Sequence, residues 1–189
     1  MSSNFQYIPF NIPQYLYCYL AFQLNGKIES HVSGGFYIEV DRYSLFGKHI
    51  HASIEACEHK PSYSPTILYL KISNWAGNNY KTAQGRRHFL ALSENAINKL
   101  QENVKNDFNE SMIQFVNGAE FAHASNGWSK EQKRKGIRTA AITEFCDMHN
   151  VTFDQKNFES FIKMIQRASV PKKKEAVRIE KKFVQSLSY

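Results

Sequence analysis

Cysteine is scarce in this chain of 189 residues, and the three present, Cys18, Cys57 and Cys146, form no CxxC pair. An odd, scattered set of thiols excludes a disulfide framework and a structural zinc site, and points to an intracellular, cytoplasmic protein with reduced thiols. Long apolar runs are missing too. The stretch from Tyr7 to Leu24 is interrupted by Pro9, Asn11, Pro13 and Gln14, so neither a signal peptide nor a membrane span is expected. GxSxG, P-loop and GxGxxG patterns do not occur, which leaves hydrolase, NTPase and Rossmann chemistry without a starting point, and no cofactor is expected. Charge of one sign is absent from the first two thirds: Met1 to Trp128 holds 10 Lys/Arg against 10 Asp/Glu.

The net charge of +7 therefore belongs to Ser129–Tyr189, where 14 basic residues face 7 acidic ones (14 − 7 = 7). Regional clustering of this kind is the electrostatic footprint of a polyanion binder. A hydrophobic fraction of 42% with 14% aromatics supplies material for a folded core.

Hydrophobic periodicity predicts a β-rich first part after an irregular arm, Met1 to Gln14. Alternation at Tyr15 to Leu24 reads as a strand with Leu16, Cys18, Leu20 and Phe22 on one face and Tyr15, Tyr17 and Tyr19 on the other. Asn25-Gly26 reads as a tight hairpin returning through Ile28 to Val32, and Gly34-Gly35 as a bend before a strand at Phe36 to Val40. Further strands are expected at Lys48 to Glu58, Thr66 to Trp75, His88 to Leu92 and Met112 to Val116. Ser93 is placed to cap a helix running to about Phe108, and Asn117 to Trp128 reads as a linker.

Three helices are expected after it. Ser129 with Gln132 and Thr152 with Gln155 have capping-box spacing, and Pro171 suits a first helical position. The apolar stripes are Ile137, Ala141, Ile142, Phe145 and Met148, then Phe158, Phe161, Ile162 and Ile165, then Ala176, Ile179, Phe183 and Leu187. The basic residues are the candidate phosphate contacts. Lys130, Lys133, Arg134, Lys135 and Arg138 lie at the head of the first helix; Lys156, Lys163 and Arg167 lie on the second. Lys172, Lys173, Lys174, Arg178 and Lys181 lie on the third, and Arg86 and Arg87 in the body add to them. Tyr15, Tyr17, Tyr19, Tyr37, Tyr69 and Trp75, sharing a sheet face with Lys71, form a second candidate surface for stacking bases or for a subunit interface.

His49-Ile50-His51 is the one catalytic-looking pattern, because two histidines bracketing an apolar residue on a strand point to one side, with Glu55 or His59 in reach. From His49 to Lys60 the chain locally resembles the HUH family of single-strand endonucleases, the replication initiators and relaxases. The resemblance implies that His49 and His51 would ligate a metal in a nicking site. The family's Tyr-x-x-Lys has no counterpart, since the helix expected at Glu94 to Asp107 contains no tyrosine.

The expectation is thus an α+β protein: an antiparallel sheet, open or barrel-like, with one helix over residues 1–117, a linker over 118–128 and a basic three-helix unit over 129–189. The favoured function is non-catalytic nucleic-acid binding, DNA before RNA, with no metal and no membrane partner. The alternatives are the metal-dependent nickase and an assembly protein that meets an acidic partner through its basic helices.

Overall fold

The computed structural model describes residues 5–31, 34–57, 68–73, 89–125 and 132–169. Six strands and five helices follow one another there, the last three helices after all the strands: β1 (Phe5–Pro9), α1 (Gln14–Gln23), β2 (Ile28–Ser30), β3 (Phe36–Glu39), α2 (Leu45–Ser53), β4 (Ile54–Cys57), β5 (Leu68–Ser73), β6 (Phe89–Leu92), α3 (Glu94–Ser125), α4 (Gln132–Met148) and α5 (Gln155–Ser169). The α+β class holds. The four-stranded sheet has the order β1-β5-β3-β2 and is open, not closed into a barrel; β4 and β6 pair separately. Neighbours are antiparallel except β3 and β5, which run parallel. Two compact units divide the chain, Met1–Phe108 with Cys146–Thr152, and Asn109–Phe145 with Phe153–Tyr189, so the divisions fall inside α3 and α4.

The strand expected at Tyr15 to Leu24 is a helix. Nearly every residue there is apolar, so a period of two and a period of 3.6 are satisfied alike, and burial decides between them. Leu16, Tyr17, Tyr19, Leu20 and Ala21 are all buried, a set no single strand face could present. Asn25-Gly26 is accordingly a helix cap instead of a hairpin. Asn25 takes φ 48°, its N–H reaches Phe22 O at 3.0 Å, and the Gly26 N–H reaches Ala21 O at 2.9 Å. These are the two bonds of a Schellman motif, with asparagine in the left-handed position. The end of α4 repeats it: Asn150 has φ 52°, and the Val151 and Asn150 N–H groups bond Cys146 O and Asp147 O at 2.8 and 3.2 Å.

Of the other expected strands, Phe36 to Val40 and Thr66 to Trp75 contain β3 and β5, whereas Lys48 to Glu58 is helix α2 as far as Ser53 and strand β4 only from Ile54. In β5, Leu68, Leu70 and Ile72 are buried while Lys71 on the other face is part-exposed, and the β2–β3 hairpin turns through Gly34 and Gly35 with φ near 80° (84° and 81°). The arm contributes β1, whose Ile8 shares the core of the first unit with Ile38, Leu70, Ile50 and Phe108, all fully buried.

Helix α3 continues through the strand expected at Met112 to Val116 and through residues 117–125 of the expected linker. Leu100, Val104, Phe108, Met112 and Val116 step by four along it and are all buried, which is one helical stripe. Ser93 does cap it, accepting from the Ala96 N–H at 3.3 Å. Helix α5 is capped by Asp154, which accepts from the Asn157 N–H at 2.7 Å, so the box expected from Thr152 is not the cap used. Phe153 stacks on Phe158 at 5.5 Å, the hydrophobic staple that fixes where this helix begins. In the second unit, Met112, Val116, Ala141, Ile142, Phe161 and Ile165 are buried and Phe115 meets Phe145 edge-on at 5.7 Å. Ser129 and the third helix expected after Pro171 lie outside the described residues.

Two thiols separate by burial. Cys146 is fully buried, which pushes its pKa up to about 12, whereas Cys18 is half-buried. At pH 8 iodoacetamide is expected to alkylate Cys18 well before Cys146, which reacts only on unfolding. Peptide mass spectrometry with and without urea checks the order; equal rates in the folded protein would contradict the burial of Cys146.

Candidate nucleic-acid interface

Lys156, Lys163 and Arg167 all project from α5 and all are exposed. Steps of seven and four residues at 100° each bring the three onto one stripe, with rises of about 10 and 6 Å between successive cations. Buried Phe161 and Ile165 hold the opposite face, so packing fixes which side the cations occupy. None of the three has an ion pair among the described residues.

Other expected contacts are placed differently. The Arg138 guanidinium pairs with Glu120 between α4 and α3, and both side chains are about six-sevenths buried (16% and 15% exposed). A charge enclosed and matched in this way ties two helices together and has little left for a phosphate. Lys133, Arg134 and Lys135 belong to the first turns of α4. Arg86, Arg87, Lys130, Lys172, Lys173, Lys174, Arg178 and Lys181 lie outside the described residues, as does Trp75.

The tyrosine face is reassembled by the topology. Tyr15, Tyr17 and Tyr19 sit on α1; Tyr19 is 1% exposed, its ring edge-on to Phe108 at 5.2 Å and its hydroxyl donating to Asp107 Oδ2 at 3.0 Å. Tyr37 and Tyr69 do share a sheet face with Lys71, as β3 and β5 pair in parallel with Tyr37 beside Tyr69 and Glu39 beside Lys71. β1 adds Phe5 and Tyr7, and β2 adds Glu29 opposite Tyr37. His31 stacks on Tyr69 at 4.3 Å and meets Tyr7 edge-on at 4.5 Å. The Lys71 ammonium lies over Phe5 (4.4 Å) and Tyr37 (5.3 Å) and bonds Glu39 Oε2 at 2.9 Å, a bond that raises its pKa. Tyr37 donates to Glu29, and that bond is the main cause of its raised pKa.

Beside this face a cleft of about 670 Å³ opens between the end of α1, the β2–β3 pair and the Asp41–Tyr43 turn. Sequence reasoning missed it. Tyr37 belongs to the expected tyrosine surface, but the rest of its aromatic wall comes from Phe5 on β1, which reads as an irregular arm, and from Tyr43, which carries no periodic signal.

No family model, curated protein or solved structure matches the chain.

The histidine pair falls on helix α2, not on a strand. Residues two apart on a helix diverge by about 200°, so His49 and His51 leave opposite sides and cannot close on one ion. No group of three or more metal-ligating side chains occurs among the described residues. His49 is exposed; His51 is half-buried, and its Nε2 is enclosed without a hydrogen-bond partner there. Burial first, and the Arg42 charge second, lower its pKa below the ordinary 6.5. A lowered folded pKa means the unfolded chain binds the proton first, so this contribution is whole above pH 6.5 and declines as pH falls through it. The urea midpoint of the wild type is expected to drop between pH 7.5 and 5.5, and that of His51→Leu to drop less. Parallel pH curves for the two proteins would remove His51 from the account. No described helix is long and apolar enough to cross a membrane.

Proposed function

We propose that this is a non-catalytic nucleic-acid-binding protein, a DNA-binding one in the first instance, which takes the phosphate backbone on its basic helices. The observation that carries the reading is the α5 stripe: Lys156, Lys163 and Arg167 are exposed, aligned and free of ion pairs among the described residues, in the region that holds the whole charge surplus. Lysines on a helix face meet phosphate as flexible point charges, which positions a backbone without reading its bases.

The test is a salt titration of the full chain on a duplex of arbitrary sequence. With three or more phosphate contacts, log K is expected to fall against log salt with a slope of about −2.7 or steeper. A flat dependence would refute backbone binding and favour an acidic protein partner.

A further inference from the structure

We propose that the cleft bounded by Phe5, Glu29, Tyr37, Glu39, Arg42 and Tyr43 receives one unpaired base that carries an exocyclic amino group. The inference rests on the nucleic-acid reading and names the kind of strand it would take: single-stranded, with at least one base turned off the stack.

Elimination on the chemistry of the lining leads there. The volume of about 670 Å³ lies within the range of small-molecule sites, roughly 300 to 1,000 Å³. Three carboxylates, Glu29, Glu39 and Asp41, face the cleft and disfavour a small anion inside it. A second organic cation is disfavoured as well, because the Lys71 ammonium already occupies the faces of Phe5 and Tyr37 and pairs with Glu39. A neutral planar ring remains. Tyr43, 67% exposed with the Arg42 guanidinium 4.5 Å from its ring centroid, offers the platform on which such a ring stacks.

The carboxylates then set which ring. Each has one oxygen engaged: Glu29 Oε2 by the Tyr37 hydroxyl, Glu39 Oε2 by Lys71, and Asp41 Oδ1 by the Tyr43 N–H at 3.0 Å. The second oxygen of each has no hydrogen bond among the described residues, so the cleft presents acceptors held in place by their partners. Acceptors match the amino donors of cytosine and leave the 4-carbonyl of uracil facing negative charge. Arg42 and Lys27 on the same rim supply positive charge for the phosphate that accompanies the base.

Cytosine and uracil differ at the 4-substituent and at N3, a lone pair in cytosine and an N–H in uracil, so the comparison sets the cytosine amino group against the single donor that uracil keeps. The full chain is titrated with fluorescent single-stranded 12-mers of dC and of dU at pH 7.5, where anisotropy reads affinity. Wild type is expected to prefer dC by roughly fivefold or more, the low end of single-base discrimination. Glu29→Gln with Glu39→Gln, both exposed positions, should bring the preference below about twofold, and Tyr43→Ala should weaken both strands by roughly fivefold or more. Replacing Lys156, Lys163 and Arg167 of α5 together with glutamine should lower both affinities and keep their ratio. Equal affinity for the two strands, or a preference unchanged in the Gln variant, overturns the cleft and leaves backbone binding standing. Binding to neither strand and to no duplex overturns both.

Discussion

Replacing Lys156, Lys163 and Arg167 together with glutamine is expected to weaken binding to any duplex by up to about 500-fold at 0.1 M salt. The figure follows from counterion release. Each phosphate contact contributes about 0.9 to the slope of log K against log salt, which is about eightfold at 0.1 M relative to 1 M, and three contacts multiply. The slope should flatten by about 2.7 at the same time, and two unrelated duplexes should lose affinity by the same factor. Glutamine keeps nearly the helix propensity of lysine and arginine, and the three sites are exposed, so α5 should remain folded. Paired salt titrations with circular dichroism of the variant provide the check. Lost affinity with an unchanged slope would mean that the three side chains serve a protein contact, and the assignment to nucleic acid would fall.

That the α5 stripe could be read from the sequence, and the cleft could not, has a physical cause. In α5 one face is apolar at Phe161 and Ile165 and the other is polar, so only the helical period fits. In β5 the period of two shows because Tyr69 and Lys71 alternate with the aliphatics Leu68, Leu70 and Ile72. In α1 both faces are apolar, and the Tyr15, Tyr17, Tyr19 alternation imitates a strand. In α3 the signal was present as five buried residues in steps of four. It was obscured because Met112 to Val116, taken alone, is a short apolar run of the kind that fits either period. For α2 the alternation of His49 and His51 with Ile50 and Ala52 suggests a strand, and the Ser44 cap that starts the helix is seen only in the structure. Local periodicity cannot show long-range pairing at all. Phe5, Tyr37 and Lys71 come together only because β5 inserts between β1 and β3, and no sequence-local pattern encodes that order.

Gly47→Ala is expected to be the most damaging small substitution in the first unit. Gly47 lies in the first turn of α2, where the chain doubles back on the Asp41–Ser44 turn. The Ser44 hydroxyl donates to Asp41 O at 2.7 Å and accepts from the Gly47 N–H at 2.9 Å, so one side chain joins turn and helix. A Cβ on Gly47 would stand 2.0 Å from Asp41 O and 3.0 Å from Arg42 Cα, both backbone atoms that no rotamer can move aside. Relief requires pushing the turn away, which adds overpacking strain and breaks the cap, together about 3 kcal/mol. For a chain of this length that lowers Tm by roughly 6 to 12 °C. The same displacement carries Asp41, Arg42 and Tyr43 off the rim of the cleft, so the preference for dC over dU should vanish in the folded fraction of this variant. Gly118→Ala and Gly136→Ala are the controls. Both sites are in helices with nothing within 4 Å of the added methyl group, and alanine there should stabilise by about 0.5 to 1 kcal/mol. One substitution type is thus expected to act with opposite signs at different positions. A Gly47→Ala protein melting with the two controls would mean that α2 does not pack on the Asp41 carbonyl, and the geometry of the cleft rim would have to be redrawn.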